Sequence, residues 1–192
     1  MPRKVTVLPE PLVFPRPTLL VGANIDGKAN FMTVGGGGAA NAEPPMISLP
    51  IRHHRYTLKG ILQNLTFSVN MPSSDLVAEA DYCGITSGTE VDKGSICKFT
   101  VFYGKLLTAP LIDQCPINLE CKVVHILNLG SHALVIGQVE GAYVSEDCLT
   151  QGKPDVSKMK PLIYNHESGE YLAFGTVIAK AYSIGRQLKT RG

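Results

Sequence analysis

Hydrophobic and polar residues alternate most clearly from Ile117 to Val123, where Ile117, Leu119, Cys121 and Val123 are separated by Asn118, Glu120 and Lys122. A period of two marks a strand with one face buried and one wet. Asn128-Leu129-Gly130-Ser131 then turns the chain, and His132–Val144 is expected to run back as a long partner strand. Earlier, the apolar run Thr18–Ala23 and the segment Lys28–Val34 flank Asp26-Gly27, a dipeptide suited to a tight hairpin. The Pro44-Pro45 pair sets the start of a short apolar strand, Met46–Ile51. Leu58, Ile61, Leu62 and Leu65 then switch to helical spacing before a further strand, Leu65–Asn70. Ser73 or Ser74 is placed to cap a short helix over Asp75–Tyr82, and strand signals resume at Cys97–Tyr103. Lys160–Tyr164 reads as a short strand and His166–Glu170 as an exposed turn. Phe174, Val177, Ile178, Ala181, Ile184 and Leu188 predict a C-terminal helix over Tyr171–Leu188, weakened by Gly175 and Gly185. Many antiparallel strands with few helices predict a mostly β fold, a β-barrel with small α additions.

The segment between the second and third of these strands carries the candidate chemistry. Four glycines, Gly35–Gly38, close one strand, but no Gly-Lys-Ser/Thr follows, so they form no P-loop. Prolines rather than a helix come next, which also excludes a dinucleotide fingerprint. Arg52-His53-His54-Arg55-Tyr56-Thr57 then leads into the helix. A helix start beside two guanidinium groups and a hydroxyl suits an anion, most often a phosphate. The plainer alternative is Thr57 as an N-cap and the arginines as a solvated turn. His53 and His54 adjoin each other and would point apart on a strand, so no shared metal is expected.

Composition narrows the class. The chain has 192 residues, 44% of them hydrophobic, enough for a single domain with a substantial core. Its net charge of +2 argues neither for nucleic acid nor for a membrane surface. No apolar run is long enough to span a bilayer. Five cysteines without a CxxC pair suit reduced thiols, and the proline-rich start lacks a signal-peptide core, so a cytoplasmic location is expected. Residues 1–17, with Pro9, Pro11, Pro15 and Pro17, are expected to form an extended arm.

Several of these pieces together resemble the flavin reductase-like family, and within it the flavoredoxin type. The resemblance runs from about Pro17 to Arg186. It rests on Val21-Gly22 with Asn30-Phe-Met-Thr33, on Pro44-Pro45 followed by Arg52…Arg55-Tyr56-Thr57, and on Phe67-Ser-Val-Asn70. Further matches are Ser87-Gly88…Asp92-Lys93, Ala109-Pro110, Leu119-Glu-Cys121, Gly130-Ser-His132 and Gly137-Gln-Val139. The tail adds Pro161-Leu-Ile-Tyr164 and Tyr171-Leu-Ala-Phe-Gly175.

The resemblance implies an FMN-binding split β-barrel, antiparallel and Greek-key, and a homodimeric oxidoreductase whose chemistry is carried by the flavin rather than by catalytic side chains. It implies that Asn30 and the backbone of Met32, Thr33, Val34, Gly35 and Gly36 edge the flavin ring, and that Arg52, Arg55 and Thr57 hold the FMN phosphate. Lys93 and His132 would lie near the ring or ribityl chain, with Tyr164 reaching the cofactor, in one arrangement across a dimer interface. Plain roles stand beside these, with Lys93 a turn lysine, His132 bonded to a carbonyl and Tyr164 a packing residue. A cation beside a reduced, near-anionic flavin stabilises it, and Lys93 is the expected group. Relatives often carry an aromatic residue where this chain has Gly35–Gly38, which would leave the flavin face more open. Two roles compete: NAD(P)H reduces the flavin for transfer to free flavin, a metal chelate or a protein, or FMN is a one-electron relay that nicotinamide never visits. Outside both stands a non-catalytic β-barrel binding module.

Overall fold

The computed structural model describes residues 3–188. Its strands and helices are β1 (Arg16–Ile25), β2 (Lys28–Gly35), β3 (Gly38–Asn41), β4 (Met46–Arg52), α1 (Tyr56–Asn64), β5 (Thr66–Met71), α2 (Val77–Ile85) and α3 (Lys93–Ile96). There follow β6 (Val101–Phe102), β7 (Leu111–Ile112), β8 (Ile117–Asn128), β9 (His132–Val144), β10 (Leu149–Thr150), β11 (Lys153–Pro154), α4 (Val156–Met159), β12 (Ile163–Asn165) and β13 (Glu170–Leu172). Nine strands form one antiparallel sheet in the order β13-β12-β1-β5-β8-β9-β4-β3, with β2 on the other side of β1.

The hairpins follow from their turns. Asp26 and Gly27 both take positive φ, 51° and 81°, the conformation whose twist matches two right-handed strands. That fixes the β1–β2 register from Ile25↔Lys28 to Thr18↔Gly35. β1 is buried on both faces, which explains its nearly unbroken apolar sequence. Leu19, Val21 and Ala23 join Leu49, Ile51, Phe67, Val69 and Val135 in one core. Leu20 points the other way, into a second core with Phe31, Ala80, Cys83 and Cys115 under α2. Helix α1 lies close on β1 because Gly60 has no side chain, and a Cβ there would stand 2.5 Å from the Asn24 carbonyl oxygen. The Asn64 amide donates to that same oxygen at 2.7 Å.

Buried polar groups stitch the layers together. Asn70 donates to the Leu20 carbonyl and Ser68 Oγ, both at 3.0 Å. Its own oxygen accepts from the Ile112 N–H at 2.9 Å and the Asn118 amide at 2.8 Å. It therefore ties β5 to β1, β7 and β8. Glu120 is fully buried and accepts from the Lys105 and Leu106 N–H groups at 2.9 and 2.7 Å and from the Tyr143 hydroxyl at 2.7 Å.

Three expectations are corrected. Tyr171–Leu188 is not a helix: β13 ends at Leu172, irregular chain follows, and only Ile184–Leu188 forms a 3-10 turn. The helical spacing has no surface to pack on, since Val177 and Ile178 are 83% and 96% exposed, and a helix owes most of its stability to such packing. The strand expected at Cys97–Tyr103 shrinks to Val101–Phe102, because Lys93–Ile96 closes into a short helix capped by the Asp92 carboxylate. Thr57 is not the N-cap of α1; Arg55 holds that position and makes no side-chain cap bond.

Candidate functional site

Where β2 ends beside β4, the sheet opens into a cleft of about 820 Å³. Met32, Val34 and Pro50 supply apolar wall, and the backbone from Gly35 to Gly37 lies bare between them. Pro11, Val13 and Pro15 of the N-terminal arm line the same cleft. Tyr164 packs against the glycine strand: a Cβ on Gly35 would meet Tyr164 Cδ1 at 2.7 Å. Tyr164 stands 5.6 Å from Tyr171 and 5.9 Å from His166, ring centre to ring centre. The Tyr171 hydroxyl donates to Asp81 Oδ1 at 3.0 Å. Burial, and then this carboxylate, push the Tyr171 phenol well above its ordinary value, so it remains a donor.

The opposite edge is basic. β4 and β9 pair Arg52 directly with His132, and both side chains line the cleft. His132 is held below its usual 6.5, by burial first and then by the positive field of Arg52, His53 and His54. Its Nδ1 lies 2.7 Å from Ser131 Oγ.

A smaller pocket of about 120 Å³ sits at the start of α1, lined by Thr57, Ser87, Gly88 and Lys93. Met32, Arg55 and Ile85 line both cavities. Arg55 donates through Nη1 to the Gly84 carbonyl at 2.7 Å, in the last turn of α2, where carbonyls lack helix partners. That bond anchors the guanidinium and leaves its other N–H groups for the pocket. Thr57 is 1% exposed and its Oγ1 accepts from the Asn30 amide at 2.6 Å, so its own proton is available to a further acceptor. Lys93 is 3% exposed, and its Nζ donates to the carbonyls of Cys83 at 3.3 Å and Thr86 at 3.1 Å. Burial first, with Arg55 adding to it, lowers the Lys93 pKa.

Of the residues singled out from sequence, Met32, Thr33, Val34, Gly35, Gly36, Arg52, Arg55, His132 and Tyr164 meet in the cleft. Thr57 and Lys93 meet in the small pocket instead, with Arg55 between the two. Lys93 lines only the small pocket, where its ammonium is drawn down onto two carbonyls; the guanidinium-bearing residues lining the cleft are Arg16, Arg52 and Arg55, with His132 beside Arg52. Asn30 lines neither cavity and acts behind Thr57. Arg52 faces the cleft rather than the pocket that Thr57 lines. Sequence reading missed Arg16, Thr18, Asp81 and His166 on the cleft wall and Ser87 in the pocket. Ser87 stands in the quoted Ser-Gly…Asp-Lys motif, a usable signal; Thr18 looks like the first residue of an apolar strand. Among the described residues no cluster of metal-ligating side chains occurs, and no helix is long and apolar enough to cross a membrane.

Comparison with known proteins matches residues 12–173 to the family model described as the flavin reductase like domain. The structure is similar to that of flavoredoxin from Methanosarcina acetivorans, with 41% identity, a TM-score of 0.91, and 97% of this chain and 100% of that one covered. It is similar as well to flavoredoxin of Desulfovibrio vulgaris (Miyazaki F), with 34% identity, a TM-score of 0.89 and coverage of 95% and 100%. A split barrel domain structure from Shewanella frigidimarina aligns over 88% of this chain and 87% of that one, with a TM-score of 0.78 and 19% identity. At that identity it speaks for the fold alone, an antiparallel split barrel.

Proposed function

The chain belongs to the flavin reductase-like family, and from that premise we propose that it binds FMN and works as a flavin-dependent oxidoreductase or electron-transfer protein. The observation that carries this reading is the pairing of two cavities through Arg55 and Met32: a large, mainly apolar cleft for a flat ring and a small cationic pocket for a phosphate. The residues fit such a group by their chemistry. The small pocket holds a buried ammonium, a guanidinium and a hydroxyl with a free proton, beside the first-turn N–H groups of α1.

In this reading Arg55, Thr57, Lys93 and Ser87 hold the phosphate, and Asn30 positions the Thr57 hydroxyl. The backbone of Met32, Thr33, Val34, Gly35 and Gly36 offers N–H and C=O groups to the ring edge, and Tyr164 bounds the cleft beyond Gly35. Arg52 supplies positive charge on the wall where negative charge gathers when a flavin is reduced, and His132 beside it adds to that charge when protonated. FMN, when bound, supplies the electron or hydride transfer. NAD(P)H is the proposed donor; a free flavin, a metal chelate or a protein is the acceptor. A second copy of the chain is proposed to cover the apolar N-terminal arm and C-terminal tail, where Val5 is 76% and Tyr182 97% exposed. The five free cysteines suit a reducing, cytoplasmic setting.

The test is the visible spectrum of the protein purified anaerobically, followed by NADH and then NADPH in one cuvette. A flavin spectrum bleached by either supports the nicotinamide-dependent reductase. A flavin spectrum that persists until dithionite is added supports the relay, in keeping with the likeness to flavoredoxins. A protein that takes up no flavin overturns both.

A further inference from the structure

We propose that the cleft holds a second ligand subsite, formed by Arg16, Thr18, Tyr164, His166 and Tyr171, that takes a planar aromatic monocarboxylate. Its place beside a flavin rests on the function proposed above; the subsite itself rests on the following geometry.

β1 and β12 pair Arg16 directly with Tyr164, so the two side chains leave the sheet on the same face, about 5 Å apart at Cβ. Thr18 is two residues further along β1 and shares that face. All three line the cleft. Thr18 is 2% exposed, and its Oγ1 has no hydrogen-bond partner among the described residues. Buried hydroxyls are almost always paired in native proteins, so an orphaned one on a cleft wall marks a place for a ligand oxygen.

Arg16 supplies the charge. It gives Nε to the Val13 carbonyl at 3.3 Å and Nη2 to the Pro11 carbonyl at 2.5 Å. A guanidinium has five N–H donors, so the rest of its planar fork is free to meet a carboxylate. Asp81 is the only carboxylate among the residues lining the cleft, and Tyr171 already occupies it. Among the described residues no carboxylate forms an ion pair with Arg16. One guanidinium and one hydroxyl match a single negative charge, in contrast to the pocket of Arg55, Lys93 and Thr57 with its two cations.

The aromatic part of the ligand is set by the rings. Tyr164, His166 and Tyr171 form a continuous wall, with centroids 5.6 and 5.9 Å apart, the spacing at which rings stack or meet edge to face. The bond from Tyr171 to Asp81 fixes one of them in place. The cleft, at about 820 Å³, is near the top of the range for small-molecule sites, roughly 300–1,000 Å³.

The experiment is calorimetric titration of the FMN-loaded protein with 2-naphthoate and with 2-naphthamide, which share the ring but differ in charge. Naphthoate is expected to bind at least roughly tenfold more tightly, the worth of one charge-assisted hydrogen bond. Arg16→Gln removes that preference while naphthamide binding persists, Arg16→Lys retains part of it, and Thr18→Val weakens both ligands. Equal affinities in the wild type, a preference that survives Arg16→Gln, or an equal loss of both ligands in that variant would overturn the proposal. The last outcome would reduce Arg16 to a clasp for the arm. The FMN affinity of the same preparations is read separately. If the protein takes up no FMN, the flavin reading fails while the same pair of titrations still decides the subsite.

Discussion

Replacing Thr57 by valine keeps the side-chain shape and removes one oxygen. In the folded protein that oxygen accepts the Asn30 amide at 2.6 Å, with Thr57 1% and Asn30 8% exposed. The substitution leaves a buried amide donor without its partner, which costs about 1–3 kcal/mol. For a chain of this size each kcal/mol shifts the melting temperature by about 2–4 °C, so ligand-free Thr57→Val is expected to melt several degrees lower. A second consequence is separable. If the Thr57 proton is donated to the FMN phosphate, a charge-assisted hydrogen bond of about 1.5–3 kcal/mol is lost as well. FMN then binds about 10- to 150-fold more weakly. Thermal melts of the apoprotein and flavin-fluorescence titrations with FMN read the two effects independently. A lower melting temperature with unchanged FMN affinity would refute the phosphate role. An unchanged melting temperature would refute the reasoning about the Asn30–Thr57 bond itself.

Further expectations follow from buried contacts and from charge. Burial alone would raise the Glu120 carboxyl, yet the Leu106 and Lys105 N–H groups and the Tyr143 hydroxyl bring it below its usual 4.5. Its contribution to stability is therefore full above that value and lost as pH falls through the lower, folded one. Glu120→Gln should cost about 1–3 kcal/mol at pH 7 and flatten the acid limb of a melting-temperature profile; an unaltered acid limb would contradict this. Gly35→Ala drives a methyl into the Tyr164 ring, 2.7 Å away, at a cost of about 1–3 kcal/mol. Adding Tyr164→Ala should recover part of that stability, and strictly additive losses would refute the contact. His132, held below 6.5 in the free protein, resists protonation that the unfolded chain accepts, so acid below that pH destabilises the apoprotein. A reduced, near-anionic flavin ring in the cleft raises the imidazole pKa, so the affinity for reduced FMN should climb as pH falls through this window. His132→Asn should remove that component of the pH profile, and an unchanged profile would count against it.

The hairpins were legible because their signals are local. Asp26-Gly27 demands a tight turn, and β9 occupies His132–Val144 as the pattern indicates. The meeting of Arg55 and Thr57 in one pocket was legible because a helix start, a guanidinium and a hydroxyl stand within one turn of sequence. What local pattern could not supply was tertiary context. Phe174 to Leu188 has helical spacing, but a periodic face forms a stable helix only against something, and Ile178 faces none. Lys93 reads as a free cation until the carbonyls of Cys83 and Thr86 are seen to hold it. Arg16 is brought beside Tyr164 on the cleft wall only through the pairing of β1 with β12, about 145 residues later in the chain.

The most direct test of the central claim is a pair of fluorescence titrations of the apoprotein, one with FMN and one with riboflavin, which differ only in the phosphate. FMN should bind at least roughly 100-fold more tightly, the worth of two charge-assisted hydrogen bonds in the pocket of Arg55, Thr57 and Lys93. Equal affinities, or no binding of either flavin, would contradict the account.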